Sequence, residues 1–329
     1  MNKINFGILS TAQIGINSVI PAIQNSEYCE VKGIASRTEQ RAKEVASKLN
    51  IDKAYSLYDD LLEDDAIDAV YIPLPNHLHV PWSIKALEAG KHVLCEKPLG
   101  LNAQEVNELQ KVTDSYQDLK CMEAFMYHYH PQWEEVKQII NNGDIGKVKS
   151  MYSTFSYYNT NPDDIRNKYI EGGGGLMDIG CYCISLSRFI FNQEPDRVVA
   201  NLTFDPDFNI DIQGNCILDF EDKSASFIYG TQQFRGQEAI IYGTEGKIKI
   251  EMPFTPSADE DLYLSLETEN SLNKVKISPI DQYRLQADEF AKSIIDGTPQ
   301  PFPLQDAYNN MKVIDALFES DKKDKWKAI

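Results

Sequence analysis

Between residues 4 and 124, short apolar runs alternate with segments of helical period, and this alternation constrains the fold more than any single motif. Residues 4–9, 29–35, 69–72, 92–95 and 120–124 read as buried strands. A helix is expected after Gly15, running through Val19 and Ile23. Another is expected over 39–49, where Ala42, Val45, Ala46 and Leu49 recur at helical spacing. Two more cover 80–89, closed by Gly90, and 102–116, with Asn102 as the cap. Strands separated by helices pair in parallel through right-handed crossovers. Residues 1–122 are therefore expected to form a doubly wound, Rossmann-type α/β domain that binds a dinucleotide.

The pattern changes near residue 125. A helix over 132–141 ends at Asn142-Gly143, and strand-like stretches follow at 148–158, 198–204, 212–220, 224–229, 238–242, 247–251 and 262–266. Turn signals such as Gly243-Thr244-Glu245-Gly246 join them. A helical segment interrupts at 175–191, two helices close the chain at 283–295 and 307–320, and 256–261 reads as an exposed loop. Residues 123–329 are expected as an α+β domain for substrate binding and dimerisation, built on a large open, mainly antiparallel sheet.

The chain carries 32 basic and 50 acidic residues, a net charge of −18. That excess of acid disfavours nucleic acid and anionic membranes as partners. There is no apolar run long enough to span a bilayer, and the first residues enter a strand without a signal-peptide pattern, so a cytoplasmic protein is expected. The six cysteines include no Cys-x-x-Cys pair and are expected as reduced thiols, with Cys181 and Cys183 packed in a core. No metal site is expected.

The first strand runs into Ser10-Thr11-Ala12-Gln13-Ile14-Gly15. In the Gly-x-Gly-x-x-Gly fingerprint, glycines let the backbone approach a pyrophosphate at a helix N-terminus. Here Ser10, Ala12 and Gly15 hold those three positions, so the side chains stay small. Thr11 and Gln13 add donors. Residue Ser36 lies 21 positions past Gly15, and Ser36-Arg37 stands where NAD enzymes usually carry an acid. A hydroxyl and a guanidinium suit the 2′-phosphate of NADP, and Arg41 lies one turn on. NADP is the expected cofactor, with NAD as the alternative. Further along, Asn76 can hydrogen-bond a ribose or an amide, and His79 opens a helix. Lys97, in Glu96-Lys97-Pro98 at the end of a strand, is a candidate proton shuttle beside a nicotinamide. Glycines 172–175 permit close backbone packing or a mobile segment. Asp178 and Tyr182 follow, four residues apart on the expected helix.

The Ser-Thr-Ala turn, Glu96-Lys97-Pro98 and Gly172-Gly173-Gly174-Gly175-Leu176-Met177-Asp178-Ile179-Gly180-Cys181-Tyr182, in that order, resemble the glucose–fructose oxidoreductase / inositol dehydrogenase / rhizopine-catabolism family. The resemblance covers nearly the whole chain. Its Asp-x-Gly-x-Tyr pattern is closest to the dimeric dihydrodiol dehydrogenase and aldose dehydrogenase branch. The resemblance implies a cofactor site made of Ser10, Thr11, Ala12, Gln13, Ile14, Ser36, Arg37, Arg41, Leu74, Asn76, His79, Glu96 and Lys97. It places Leu74, Asn76 and His79 by the nicotinamide ribose and Glu96 on ribose hydroxyls. Catalysis is expected from Lys97, Tyr182 and Asp178, with Lys97 and Tyr182 sharing a proton shuttle and either one acting as the direct acid or base. His128 stands where many relatives have arginine, and Arg166 is a second substrate-side residue. The implied activity is hydride transfer between nicotinamide and a sugar-like alcohol or carbonyl, in a homodimer formed through the second sheet. Two alternatives stay open: an NAD-dependent glycoside hydrolase, and a non-catalytic NADP-sensing regulator. Substrate choice is expected to lie in loops around 155–170 and 230–260.

Overall fold

The computed structural model describes residues 3–329. They divide into two compact units. The first takes the chain up to Tyr129 and regains it over Asp281–Tyr308; the second is His130–Ile280 with Asn309–Ile329.

In the first unit, six strands are β1 (Ile4–Leu9), β2 (Cys29–Ala35), β3 (Lys53–Tyr55), β4 (Ala69–Ile72), β5 (His92–Glu96) and β6 (Cys121–Ala124). They form one sheet in the order β3-β2-β1-β4-β5-β6, and every pair is parallel. The helices of this unit's first segment are α1 (Ile20–Gln24), α2 (Glu39–Leu49), α3 (Tyr58–Leu62), α4 (His79–Glu88) and α5 (Ala103–Thr113). A π-helical turn, Gly15–Val19, leads into α1. Asn102 caps α5 as expected, its side chain accepting from the Glu105 amide at 3.0 Å.

The expected single boundary between residues 122 and 123 does not describe these units. Past α6 (Gln132–Asn142) and α7 (Cys181–Phe191) comes α8 (Gln282–Ile295), which returns to the first core. Its Ala287, Phe290 and Ala291 join Phe6, Ile20, Ile23 and Ile34 in one buried cluster, with the Phe6 and Phe290 rings 6.2 Å apart. Burying a phenylalanine contributes about 1.5–3 kcal/mol, and the first core gains that only if α8 packs on it. Buried Asp288 fixes the helix further by accepting from Ser26 Oγ at 2.5 Å. The last helix, α9 (Leu304–Lys323), belongs to the first unit through Tyr308 and to the second from Asn309.

The second unit holds β7 (Val148–Tyr158), β8 (Arg197–Asp205), β9 (Ile210–Phe220), β10 (Lys223–Gly230), β11 (Gln232–Gly243), β12 (Gly246–Ile250), β13 (Leu262–Thr268), β14 (Leu272–Ile277) and β15 (Lys327–Ala328). Their order is β14-β13-β12-β11-β7-β10-β9-β8-β15, antiparallel except for β7 with β10. One face of this sheet is core: Met151, Ser153, Ala225, Phe227, Ala239 and Ile241 are buried. Side chains of the opposite parity form a row in register, Val199–Ile217–Ser226–Tyr152–Ile240. Ile217 is 42% exposed and the other four are half-buried, so this face is only partly covered by the chain itself.

Candidate active site

Parallel register brings the carboxyl ends of the central strands of the first sheet to one edge. Leu9 pairs with Ala35, Ile72 with Cys95 and Glu96 with Ala124. Strand order reverses at β1 and β4, and ligands of open α/β sheets bind at such a switch point, outside those strand ends. Ser10, Ser36, Pro73 and Lys97 are the first residues beyond the four strands that meet there.

Ser10 has φ of 138°, a conformation that favours glycine and costs a serine of order 1–3 kcal/mol. The hydroxyl offsets part of that cost. It donates to the Pro73 carbonyl at 3.1 Å and accepts from the Ala12 amide at 3.2 Å. The turn therefore keeps the backbone path of a glycine fingerprint without its first glycine, and ties β1 to the end of β4. Thr11 Oγ1 lies 3.4 Å from Ser36 Oγ, joining the turn to the end of β2. Arg37 is exposed next to Ser36, and its charge works against the burial that raises the Tyr58 phenol. Of the other expected cofactor residues, Gln13 accepts from Asn17 at 3.4 Å and Arg41 pairs with Glu44 at 3.6 Å, both on the surface.

The far half of the edge is held by buried groups. Tyr71, fully buried on β4, donates to Glu96 Oε1 at 2.6 Å, and the Lys97 amide donates to Oε2 at 3.3 Å. Burial, then the Glu96 charge, pushes the Tyr71 phenol well up, so it remains a donor. The Leu99 amide donates to Glu123 at 2.8 Å, fixing the chain after Pro98. His79 departs from the expected ligand role. It is 1% exposed, with Nδ1 2.8 Å from the Pro98 carbonyl and Nε2 2.7 Å from that of Leu74. Burial lowers its pKa to about 4. Both nitrogens face backbone carbonyls, and the neutral ring donates to one of the two, packed between the 74–79 turn and the segment after Lys97. Asn76 opens the short turn Asn76–Leu78 and is half-buried. The His128 ring stacks on Phe302 at 4.3 Å and 21°.

In the second unit, a π-helical turn, Leu176–Gly180, opens α7. Asp178 lies in that turn, so its four-residue spacing to Tyr182 does not follow a regular α-helix. Tyr157 donates to Asp178 Oδ2 at 2.6 Å, and Arg166 Nε lies 3.2 Å from the same oxygen. Arg166 also pairs with Asp164 at 3.4 Å. Asp178 thus holds one expected residue, Arg166, and one on β7 that the sequence did not single out, Tyr157. Burial and the Asp178 charge drive the Tyr157 phenol up. It therefore serves as a fixed donor and is unsuited to act as a base near neutral pH. Tyr182 is 5% exposed, with its ring edge-on to Phe155 at 5.5 Å and to Phe254 at 5.4 Å. That aromatic slot fixes the plane of its phenol.

Tyr71, Tyr157 and Glu123 are the supporting residues that sequence reading passed over. Tyr71 and Tyr157 sit in strands, where a tyrosine reads as ordinary β-propensity; only a carboxylate on a neighbouring strand or turn reveals the bond. All six cysteines are free and buried, as expected. Among the described residues no helix is long and apolar enough to cross a membrane, and no His/Cys/Asp/Glu group is arranged to hold a metal.

Residues 4–125 match the model of the oxidoreductase family with an NAD-binding Rossmann fold, and residues 133–249 match the GFO/IDH/MocA C-terminal domain. The chain belongs to the GFO/IDH/MocA family. Its first unit is thus an NAD(P)-binding Rossmann domain, and the chain is an oxidoreductase. The family fits the resemblance read from the three sequence signatures. The NADP(+)-dependent D-xylose 1-dehydrogenase of Haloferax volcanii is 38% identical over 96% of both chains. The dTDP-3,4-didehydro-2,6-dideoxy-α-D-glucose 3-reductase of Actinomadura kijaniata is 30% identical over 96% of this chain and 95% of its own. A crystal structure of a 3-ketoreductase from that organism, with NADP and TDP-benzene, superposes with a TM-score of 0.92 at 30% identity, covering 97% of this chain and 98% of that one. Forms of this ketoreductase with a lysine changed to alanine, or a tyrosine to phenylalanine, are also solved with NADP and TDP-benzene.

The turn chemistry at Ser10 gives a direct stability test. Ser10→Ala loses both hydroxyl bonds and keeps the costly φ, so it should destabilise the protein by about 1–3 kcal/mol in urea unfolding. Ser10→Gly relieves the backbone and should cost roughly 1 kcal/mol less. Equal losses for the two variants would mean that the backbone here carries no such strain.

Proposed function

We propose that this protein is an NADP-dependent oxidoreductase of an aldose, acting at the anomeric carbon, or of a related keto-sugar. The observation that carries the reading is the edge of the first sheet, where Ser10's glycine-like turn, the Thr11–Ser36 contact and Glu96-Lys97 share one side. The names of the xylose dehydrogenase and the ketoreductase supply the substrate class.

NADP is favoured over NAD by the end of β2. Ser36 and exposed Arg37 offer a hydroxyl and a fork of donors to a 2′-phosphate. The nearest following acid, Glu39, is paired with Lys43 at 2.5 Å, a bond that lowers its pKa and sets a cation beside its charge. The turn at 10–14 takes the pyrophosphate, and Glu96, oriented by Tyr71, takes ribose hydroxyls. The bound nicotinamide supplies hydride acceptance or donation. Lys97 and Tyr182 move the substrate hydroxyl proton, one as the direct acid or base and the other as its relay, the free pKa of a tyrosine being near 10. Asp178, held by Tyr157 and Arg166, orients a substrate hydroxyl. We assign the half-exposed, mainly apolar row Val199–Ile217–Ser226–Tyr152–Ile240 to a homodimer contact, since a two-fold partner is the commonest oligomeric arrangement.

Two experiments test this reading. A screen of aldoses, D-xylose among them, and keto-sugars, followed by NADPH absorbance, should find turnover. Lys97→Met and Tyr182→Phe should each keep cofactor binding and lose turnover by at least ~100-fold. Near-normal rates in both would reject the shuttle, and no net NADPH formation with any aldose and no net NADPH consumption with any keto-sugar would favour a hydrolase or a sensor. Sedimentation equilibrium should return twice the chain mass, falling to a single chain in an Ile217→Glu, Ile240→Glu double variant. A wild-type protein that sediments as one chain contradicts the dimer.

A further inference from the structure

Helix α7 and its opening π turn begin at Gly175, a residue with no side chain to cap them. The first amide groups of a helix need acceptors, and a buried start without one is costly. The acceptor comes from the sheet. Asp211, on β9 and 2% exposed, receives the Leu176 amide on Oδ2 at 2.6 Å. The same oxygen accepts from the phenol of Tyr229 on β10, also at 2.6 Å, and Tyr229 is fully buried. Burial raises the Asp211 pKa, and the Tyr229 and backbone hydrogen bonds work against that rise.

The glycines of this region are shaped around the pair. Gly174 has φ of +128°, and a Cβ there would stand 2.3 Å from Asp211 Oδ1. A Cβ on Gly175 would meet the Tyr229 ring at 2.7 Å, and one on Gly214 would meet it at 2.2 Å. Gly180, at the end of the π turn, leaves only 3.1 Å. Gly174 and Gly175 of the run, with Gly180 and Gly214, thus leave the room in which one tyrosine and one aspartate are seated.

We infer that Asp211 and Tyr229 are positioning residues: they fix the start of the 176–191 helical segment on the sheet, and through it the placement of Asp178 and Tyr182. This rests on the roles proposed above for those two residues. The reach is short, since Asp178 is two residues beyond the amide that Asp211 receives and Tyr182 is four beyond that. Misplacing a reacting group by an ångström costs about 10²-fold in rate.

The test compares Asp211→Ala, Asp211→Asn and Tyr229→Phe with wild type and Tyr182→Phe, assayed well below each variant's unfolding midpoint. Asp211→Ala should lose kcat by about 10²-fold. Asp211→Asn keeps one acceptor for Leu176 and should restore a good part of that loss. Tyr229→Phe keeps the ring in its slot and should lose several-fold, which secures the test if the aspartate variants do not fold. Cofactor affinity, read by NADPH fluorescence, should stay within about twofold throughout, because the turn at 10–14 and the end of β2 belong to the other unit. Wild-type kcat in Asp211→Asn and Tyr229→Phe, with only a lowered unfolding midpoint, would reduce the pair to structural support and overturn the inference. If Tyr182→Phe itself retains turnover, the proposed role of Tyr182 fails, and the inference falls with it. If Tyr182→Phe is inactive and the Asp211 and Tyr229 variants are normal, the inference alone fails.

Discussion

The parallel pairing of β1 with β2 on one side and β4 on the other decides where the chemistry of the first unit sits. Each pairing is a ladder of backbone bonds whose register is set by side chains buried on both faces, Phe6, Ile8, Ile34 and Tyr71 among them. A slip by one residue would send each of them to the opposite face and break its packing there. With the register fixed, the ends of four strands fall on one edge, and the residues just past them become neighbours although they lie up to 87 positions apart, from Ser10 to Lys97. The Ser10–Pro73 and Thr11–Ser36 contacts are consequences of that pairing.

A second motif recurs in both units. Three carboxylates each take a tyrosine hydroxyl at 2.6 Å: Glu96 from Tyr71, Asp178 from Tyr157 and Asp211 from Tyr229. A phenol satisfies a lone pair without adding charge, so the acid is held in place with its charge intact. Asp178 has Arg166 at 3.2 Å besides, which offsets its charge. Burial and the acid's own charge keep these phenols protonated. The cost of burying each acid is offset locally, and two of the three acids are ones to which a catalytic or cofactor role is assigned. Tyr182 differs in kind: its ring lies against Phe155 and Phe254.

Much of this was legible in the sequence. Strands buried on both faces declare themselves as continuous apolar runs, which is why β1, β2, β4 and β5 were readable nearly to the residue. The edge strands β3, β14 and β15 were not, since they are short or charged and half-exposed, as edges that avoid pairing with other chains tend to be. The helical period of α8 shows that one face is apolar, yet says nothing of which core that face covers, so its return to the first unit was hidden. The turn at Ser10 was legible from its place between a strand and a helix, in spite of its lost glycine. His79 read as a ligand because the sequence gives its position and not its burial. Asp211 left no signal at all, because in a strand an isolated aspartate reads as a solvent-facing residue.

The account stands on the claim that the edge built by these strands holds a dinucleotide, with Ser36 and Arg37 reading its ribose phosphate. The most direct measurement is a fluorescence titration of wild type and Arg37→Asp with NADPH and with NADH. The wild-type protein should bind NADPH at least about tenfold more tightly, and Arg37→Asp should abolish that preference while leaving NADH affinity nearly unchanged. An Arg37→Asp protein that still prefers NADPH, or a wild type that binds neither nucleotide, would contradict the account.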